Sequence, residues 1–295
     1  MTGVVFPGLL DEIEPPLLGE DDTTSGGNGG GDTTPGDGGG DDTNSGGGSD
    51  GGTDGIPDNA LIIDNPEGDS LRGTSGNDFI LGNVGPDTLY GQGGNDTIFG
   101  VDDTDSLFGE AGNDLINGNQ GIDFIFAGQG DDTVFGGRGS DSINGGDLDL
   151  TLNETDENVL FGNFGNDTLV GRAGDDILYG GQDEDSLFGA EGDDCLFGDR
   201  GIDTLTGGEG RDTFVLSAIT GGPTEDLADI ITDFDPNNDR VVLFLDSGVN
   251  FDLETVDGGI AIRLDEGDNE NFLAVVQNAQ FSRSNITVIS PEPQQ

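Results

Sequence analysis

The chain has no histidine, no lysine and no tryptophan, and only one cysteine and one methionine among 295 residues. Without histidine there is no imidazole zinc site, no histidine acid or base, and no Ser-His-Asp arrangement. The lone Cys195 cannot close an internal disulfide; a small filler residue is the expected role, ahead of a cross-link between two chains. No run approaches the roughly 18 apolar residues that cross a bilayer. The opening, MTGVVFPGLL, lacks the basic and apolar regions of a cleaved secretory signal, so any export is expected to proceed without an N-terminal signal peptide. Positive charge is scarce as well. Eight arginines face 61 acidic residues, for a formal charge of −53. Such a charge opposes any compact state by self-repulsion, makes cations the expected partners and excludes nucleic acid. With 31% hydrophobic residues and 57 glycines, a conventional globular core along the whole chain is excluded too.

What is present is ordered along the chain. Residues 1–54 form an acidic tail; from 19 onward it is low-complexity Gly, Asp, Thr and Ser, which has nothing to bury and reads as disordered. Its GGSDG (47–51) fits the pattern around a hydrolase serine, but with no histidine and no flanking strand or helix the match is accidental. The preceding VVFPGLLDEIEPPLL reads as tail rather than as a docking motif. From Gly73 to Val215 a nine-residue period takes over, in fifteen units. The first slot is glycine except at Ala127, and the fourth is glycine except at Asp103, Asp156 and Asp183. The sixth slot is Asp in fourteen units and Asn158 in the ninth, and the eighth is apolar in all fifteen, from Ile80 to Phe214.

Unit nine, GGDLDLTLNETDENVLF (145–161), carries eight extra residues and lacks the acid, so it reads as a looped-out excursion. A shift of 80 residues superimposes GNVGPDTL (82–89) on GNFGNDTL (162–169), and the irregular Asp103 on Asp183. A block of about eight units is therefore duplicated, with the excursion at the join. Residues 55–72 keep the apolar phase without the glycines and read as degenerate N-terminal cap units. Past Val215 the period stops. DIITDFDPNNDRVVLFL, GGIAIRL and NFLAVVQ then read as strands of a β-rich C-terminal cap over 216–295. DPNND (235–239) has the acid spacing of a calcium loop, but Arg240 stands where such a loop needs glycine, so it reads as a hairpin turn.

Nine residues with six turn formers predict a tight loop and a three-residue strand. The eighth slot points inward, and two oppositely directed units close an eighteen-residue coil with two parallel sheets around the apolar slots. Coils stack about 4.8 Å apart. That places Asp78, Asp96, Asp114, Asp132, Asp176, Asp194 and Asp212 along one edge, and Asp87, Asp105, Asp123, Asp141, Asp167, Asp185 and Asp203 along the other. Carboxylates at that spacing repel by about 3–4 kcal/mol at an effective dielectric near 20, and a dozen such contacts exceed the stability of an ordinary domain. Divalent ions between them are the expected remedy. Oxygen-only ligands select a hard cation, and a carbonyl-rich flexible loop favours calcium over magnesium.

The units resemble the RTX, or haemolysin-type, calcium-binding nonapeptide G-G-x-G-x-D-x-U-x; GGRGSDSIN (136–144) and GGEGRDTFV (207–215) match every specified slot. The resemblance implies a right-handed parallel β-roll, a calcium-binding solenoid with an ion between loops of successive coils. It also implies type I secretion through an uncleaved C-terminal signal, hence an extracellular or cell-surface protein. Thirteen inter-coil gaps follow, with the two around unit nine weakened, so about 11–13 Ca2+ ions are expected, cancelling roughly half the charge. The outward ninth slots, Tyr90, Phe99, Phe108, Phe126, Phe135, Phe161, Tyr179, Phe188 and Phe197, are expected to stack across strands rather than bind a glycan or surface partner. The functional expectation is a non-catalytic structural or adhesive calcium-binding module. The alternatives are a secreted enzyme or toxin, or an ice- or glycan-binding face involving Thr88, Thr97 or Thr133.

Overall fold

Slots seven to nine of one unit and slots one to three of the next form a single strand in a computed structural model of the chain. The model describes residues 61–63, 68, 70–146, 155–217, 227–245, 249–266, 269–277 and 280–290. The tail over 1–54 and residues 147–154 of the excursion lie outside these. Strands β1 (Leu61–Ile63) and β2 (Ser70–Arg72) come first. The regular array begins with β3 (Phe79–Val84), β4 (Thr88–Gly93), β5 (Thr97–Asp102), β6 (Ser106–Ala111), β7 (Leu115–Gln120), β8 (Phe124–Gln129) and β9 (Thr133–Arg138). It continues through β10 (Ser142–Asn144), β11 (Val159–Phe164), β12 (Thr168–Ala173), β13 (Ile177–Gln182), β14 (Ser186–Glu191), β15 (Cys195–Arg200), β16 (Thr204–Glu209) and β17 (Thr213–Ser217).

From β1 to β17, odd strands pair only with odd strands and even with even, all in parallel. The register offset is eighteen residues, as in Phe79↔Thr97 and Thr88↔Ser106. The protein is an all-β parallel solenoid. Its core is a single file: each eighth-slot side chain, from Ile80 to Phe214, is 0–1% exposed between the two sheets. The excursion leaves this file unbroken, because β11 pairs with both β9 and β13 in full register.

Most strands of the array are six residues long rather than the three expected, although β10 keeps three. Pairing skips the first slot and resumes at the second, where the backbone turns to positive φ: 73° at Asn83, 72° at Glu110 and 100° at Val101. The bend lets strand pairing carry on into the turn, and only Asn and Gly among the occupants advertise it.

The C-terminal segment is β-rich, as expected. Strands β18 (Asp229–Ile231) and β19 (Arg240–Phe244) stack in parallel on β16 and β17, one in each sheet. β20 (Asn250–Val256) and β21 (Gly259–Glu266) form a hairpin, and β21 runs antiparallel to β22 (Asn269–Val276). β22 and β23 (Ile286–Ile289) then lie parallel on β18 and β19. The coil thus continues after its period ends. Residues 235–239 do form a turn, closed by Asn238 and Asp239 N–H donating to the Asp235 carbonyl. It is a coil corner and no hairpin, since β18 and β19 belong to different sheets.

The ninth-slot rings stack along the outer faces. Tyr90–Phe108–Phe126 runs on one sheet at centroid spacings of 4.8 and 5.4 Å, with the Arg72 guanidinium over the first ring. Phe135–Phe161–Tyr179–Phe197 runs on the other at 4.8, 4.8 and 4.4 Å. These seven rings are turned face to face against each other, the cross-strand stacking expected of them.

Candidate metal centre

The sixth-slot residue ends each turn just before its strand, where the chain folds back under the coil. All fifteen are 0–3% exposed. The fourteen aspartates fall into the two rows expected, and within each row they are joined by backbone hydrogen bonds. The N–H of Asp78 donates to Asp96 Oδ1 at 2.7 Å, that of Asp96 to Asp114 Oδ1 at 2.7 Å, and that of Asp87 to Asp105 Oδ1 at 2.8 Å. Asn158 holds its place in the ladder: Asp132 N–H donates to Asn158 Oδ1 at 3.0 Å, and Asn158 N–H to Asp176 Oδ1 at 2.7 Å.

From Asp96 and Asp105 onward, one oxygen of each carboxylate is thus accounted for, and in twelve of them the other is not. The Oδ2 atoms of Asp96, Asp105, Asp114, Asp123, Asp132 and Asp141 are buried without a hydrogen-bond partner, and so are those of Asp167, Asp176, Asp185, Asp194, Asp203 and Asp212. In the first coil Asp78 Oδ2 accepts the Thr74 N–H at 2.5 Å and the Thr74 hydroxyl at 2.9 Å. Each such Oδ2 other than that of Asp132, whose unit opens on Ala127, lies against the first-slot glycine of its own unit. A Cβ on Gly82 would stand 2.6 Å from Asp87 Oδ2 and 2.7 Å from the carbonyl of Gly100, the first-slot glycine of the next coil. Glycine at the first slot keeps open the space where two oxygens from two coils converge.

Burial drives the electrostatics. Desolvation lifts Asp132, Asp185 and Asp194 to about 8, Asp96, Asp105, Asp141, Asp167, Asp176 and Asp203 to about 7, and Asp114, Asp123 and Asp212 to about 6. The ladder hydrogen bond pulls the other way, and repulsion from neighbouring carboxylates adds a smaller rise at Asp96 and Asp105. Repulsion, the leading penalty expected from the sequence, ranks below loss of water in the folded coil. The ion pairs seen among the described residues, Arg211–Asp193, Arg283–Asp252 and Arg263–Glu254, lie elsewhere.

The donor set suits a hard divalent cation. Among the described residues no three carboxylate or thiol side chains converge on one point. Twelve of the loops instead offer one unsatisfied carboxylate oxygen together with main-chain carbonyls, the mixture that calcium accepts. The RTX calcium-binding nonapeptide repeat model matches residues 72–107, 90–125, 99–133, 117–148, 161–196 and 188–218. The roll is an array of RTX calcium-binding repeats. No curated protein matches the chain.

The ladder outruns the RTX match. Asp203 N–H donates to Asp229 Oδ1 at 3.1 Å and Asp212 N–H to Asp239 Oδ1 at 3.0 Å. Asp229 is 0% exposed, its Oδ2 has no hydrogen-bond partner, and burial pushes its carboxyl well above the ordinary value. Sequence reasoning missed both residues because the offsets are 26 and 27, not 18. The only signal was an acid at the start of β18 and another just before β19. Cys195 sits half-buried at the start of β15, and burial raises its thiol to about 11, far from the reactive range. Among the described residues no helix is long and apolar enough to cross a membrane.

Proposed function

We propose that the protein is a secreted or cell-surface structural module whose coils are clamped by calcium ions between stacked turns. The proposed ligands are the sixth-slot aspartates from Asp78 to Asp212, together with first-slot carbonyls of the adjoining coil. The observation that carries this reading is the row of buried, unpartnered Oδ2 atoms beside glycines whose missing Cβ keeps the space open. An isolated buried carboxylate without a partner is strongly unfavourable; twelve in phase call for a shared counter-ion. Within the repeats, seven gaps on the Asp78 edge and six on the Asp87 edge set a ceiling of thirteen ions, and the irregular unit nine lowers it toward eleven. Extracellular modules bind calcium at around 10⁻⁴–10⁻³ M. At cytosolic concentrations the chain would stay unfolded, and it would fold on reaching external calcium by mass action.

A non-catalytic role is supported by the absence of histidine and the unreactive Cys195 thiol. An ice- or glycan-binding face draws less support, since Leu115 separates Thr97 from Thr133 in their row and Phe124 interrupts the row that begins Thr88, Ser106. The test is circular dichroism during a calcium titration at pH 8 and low salt, with stoichiometry from calorimetry. A cooperative coil-to-β transition taking up about ten or more ions is expected, with magnesium a poor substitute. Full β signal in excess EGTA at that pH would overturn the proposal.

A further inference from the structure

We infer that the two duplicated halves of the roll are tied by a cation along one edge only at their seam, through Asp141, because the opposite edge is built there to exclude one. The inference rests on the calcium reading above and concerns which gaps it fills.

Two exceptions to the repeat fall side by side in one row. Unit seven is the only one with a side chain in its first slot, Ala127, which is 0% exposed. The geometry of its neighbours shows what a methyl does there. On Gly136 it would stand 2.6 Å from Asp141 Oδ2 and 2.9 Å from the Gly162 carbonyl, inside the space between the two coils. Unit nine is the only one without a sixth-slot acid. Its Asn158 spends Oδ1 on the Asp132 N–H, which turns the amide nitrogen inward. A Cβ on Gly145 would meet Asn158 Nδ2 at 3.0 Å and the Gly171 carbonyl at 2.7 Å. An N–H donor stands where every other unit presents a carboxylate oxygen, and a donor repels a cation. Gaps seven–nine and nine–eleven are therefore closed, the first by a methyl and the second by an amide. The backbone ladder continues through both, so the coils stay stacked there without an ion.

The other edge has no such break. Gly136, Asp141, Gly162 and Asp167 all hold the repeat residues. Asp123 N–H donates to Asp141 Oδ1 at 2.9 Å and Asp141 N–H to Asp167 Oδ1 at 2.7 Å, and Asp141 Oδ2 is buried with no hydrogen-bond partner. The seam of the 80-residue duplication falls at this level, between β10 and β11. Cation bridging along the Asp78 edge runs up to unit seven and restarts at unit eleven. Coupling from one half to the other passes along the Asp87 edge, where the gap at Asp141 is the link.

Calorimetric stoichiometry and EGTA unfolding, followed by circular dichroism on the full chain, test this. The pair Ala127→Gly with Asn158→Asp is expected to bind two more ions than the unaltered protein. Asp141→Asn is expected to bind one fewer and to unfold in two steps. Asp105→Asn, on the same edge but flanked by an intact opposite row, is expected to bind one fewer and keep a single step. Adding Ala127→Gly and Asn158→Asp to Asp141→Asn should restore the single step. An unchanged ion count in the Ala127/Asn158 pair, or two steps in Asp105→Asn as well, overturns the inference. Failure of the unaltered chain to bind calcium would instead overturn the function on which it rests.

Discussion

The backbone N–H of Asp105 donates to Asp123 Oδ1 at 2.9 Å, and the other oxygen of Asp123 is buried with no hydrogen-bond partner. The same carboxylate thus fixes the spacing of two coils and offers a free acceptor at the level where they meet. A neutral amide at that position keeps the first role and loses the second, as Asn158 shows. The ladder and the ion site are two uses of one side chain, which is why the aspartate repeats more strictly than the second or fifth slots around it.

Protons and calcium compete for those oxygens. Burial lifts most sixth-slot carboxyls from 3.8 to about 6–8 in the calcium-free coil. Folded carboxyls then hold protons that the unfolded chain releases, so their stabilising effect is full below about pH 4 and fades as pH rises through the folded values. In EGTA the β signal is expected to be present near pH 4 and lost by pH 8, with circular dichroism as the readout. Calcium uptake at pH 6.5 should release protons, seen as a dependence of the calorimetric enthalpy on the buffer's ionisation enthalpy. A β signal in EGTA that ignores pH over this range would count against burial as the dominant penalty.

The first-slot glycines give a more local test. A methyl on Gly82 would lie 2.6 Å from Asp87 Oδ2 and 2.7 Å from the Gly100 carbonyl, closer than such atoms approach. Gly82→Ala is expected to lose one ion and to lower stability at saturating calcium by about 1–3 kcal/mol, the usual range for overpacking. Calorimetry and thermal melting measure the two effects. An unchanged ion count would mean that the space beside Gly82 holds no cation.

Legibility followed the locality of each demand. The eighth-slot file and the sixth-slot rows could be read from the sequence because every unit meets the same neighbour eighteen residues away, so one geometric rule repeats and Ile80, Ile98 and Ile116 obey it alike. The strand length was hidden. Its bend lies at the second slot, where Gln92, Glu110 and Arg172 take positive φ without any residue-type signal. The extension of the ladder into the cap was hidden for a different reason: Asp229 and Asp239 reach their partners across turns of other lengths, so stacking survives although the period does not. Repulsion was read correctly in sign, but the larger desolvation penalty depends on burial that composition alone does not disclose.

Val101 is the poorest fit among the second-slot residues. A β-branched side chain at φ 100° is strained, whereas its register partners Asn83 and Asn119 are of the type that tolerates the left-handed region. Val101→Asn is expected to stabilise the calcium-loaded roll by about 1 kcal/mol, in line with the usual penalty for such backbone strain, with no change in ion count. Thermal melting at saturating calcium checks it. A lower melting temperature would mean that the valine side chain contributes packing larger than the strain.

Asp229 decides where the ladder ends. It accepts the Asp203 N–H and is fully buried, yet it stands 26 residues on, beyond the last matched repeat. Asp229→Ala leaves that N–H buried with no acceptor, a loss of about 1–3 kcal/mol, whereas Asp229→Asn keeps an acceptor and should retain most of the stability. Asp252, exposed in the same cap and paired with Arg283 at 3.0 Å, is the control. Exposed pairs contribute about 0–1 kcal/mol, so Asp252→Ala should scarcely move the melting temperature. The expected order of melting temperatures at saturating calcium puts Asp252→Ala near the unaltered chain, Asp229→Asn below it and Asp229→Ala lowest. Equal melting temperatures for Asp229→Ala and Asp252→Ala would mean that the row on this edge stops at Asp203 and that the cap is held by its apolar strands alone.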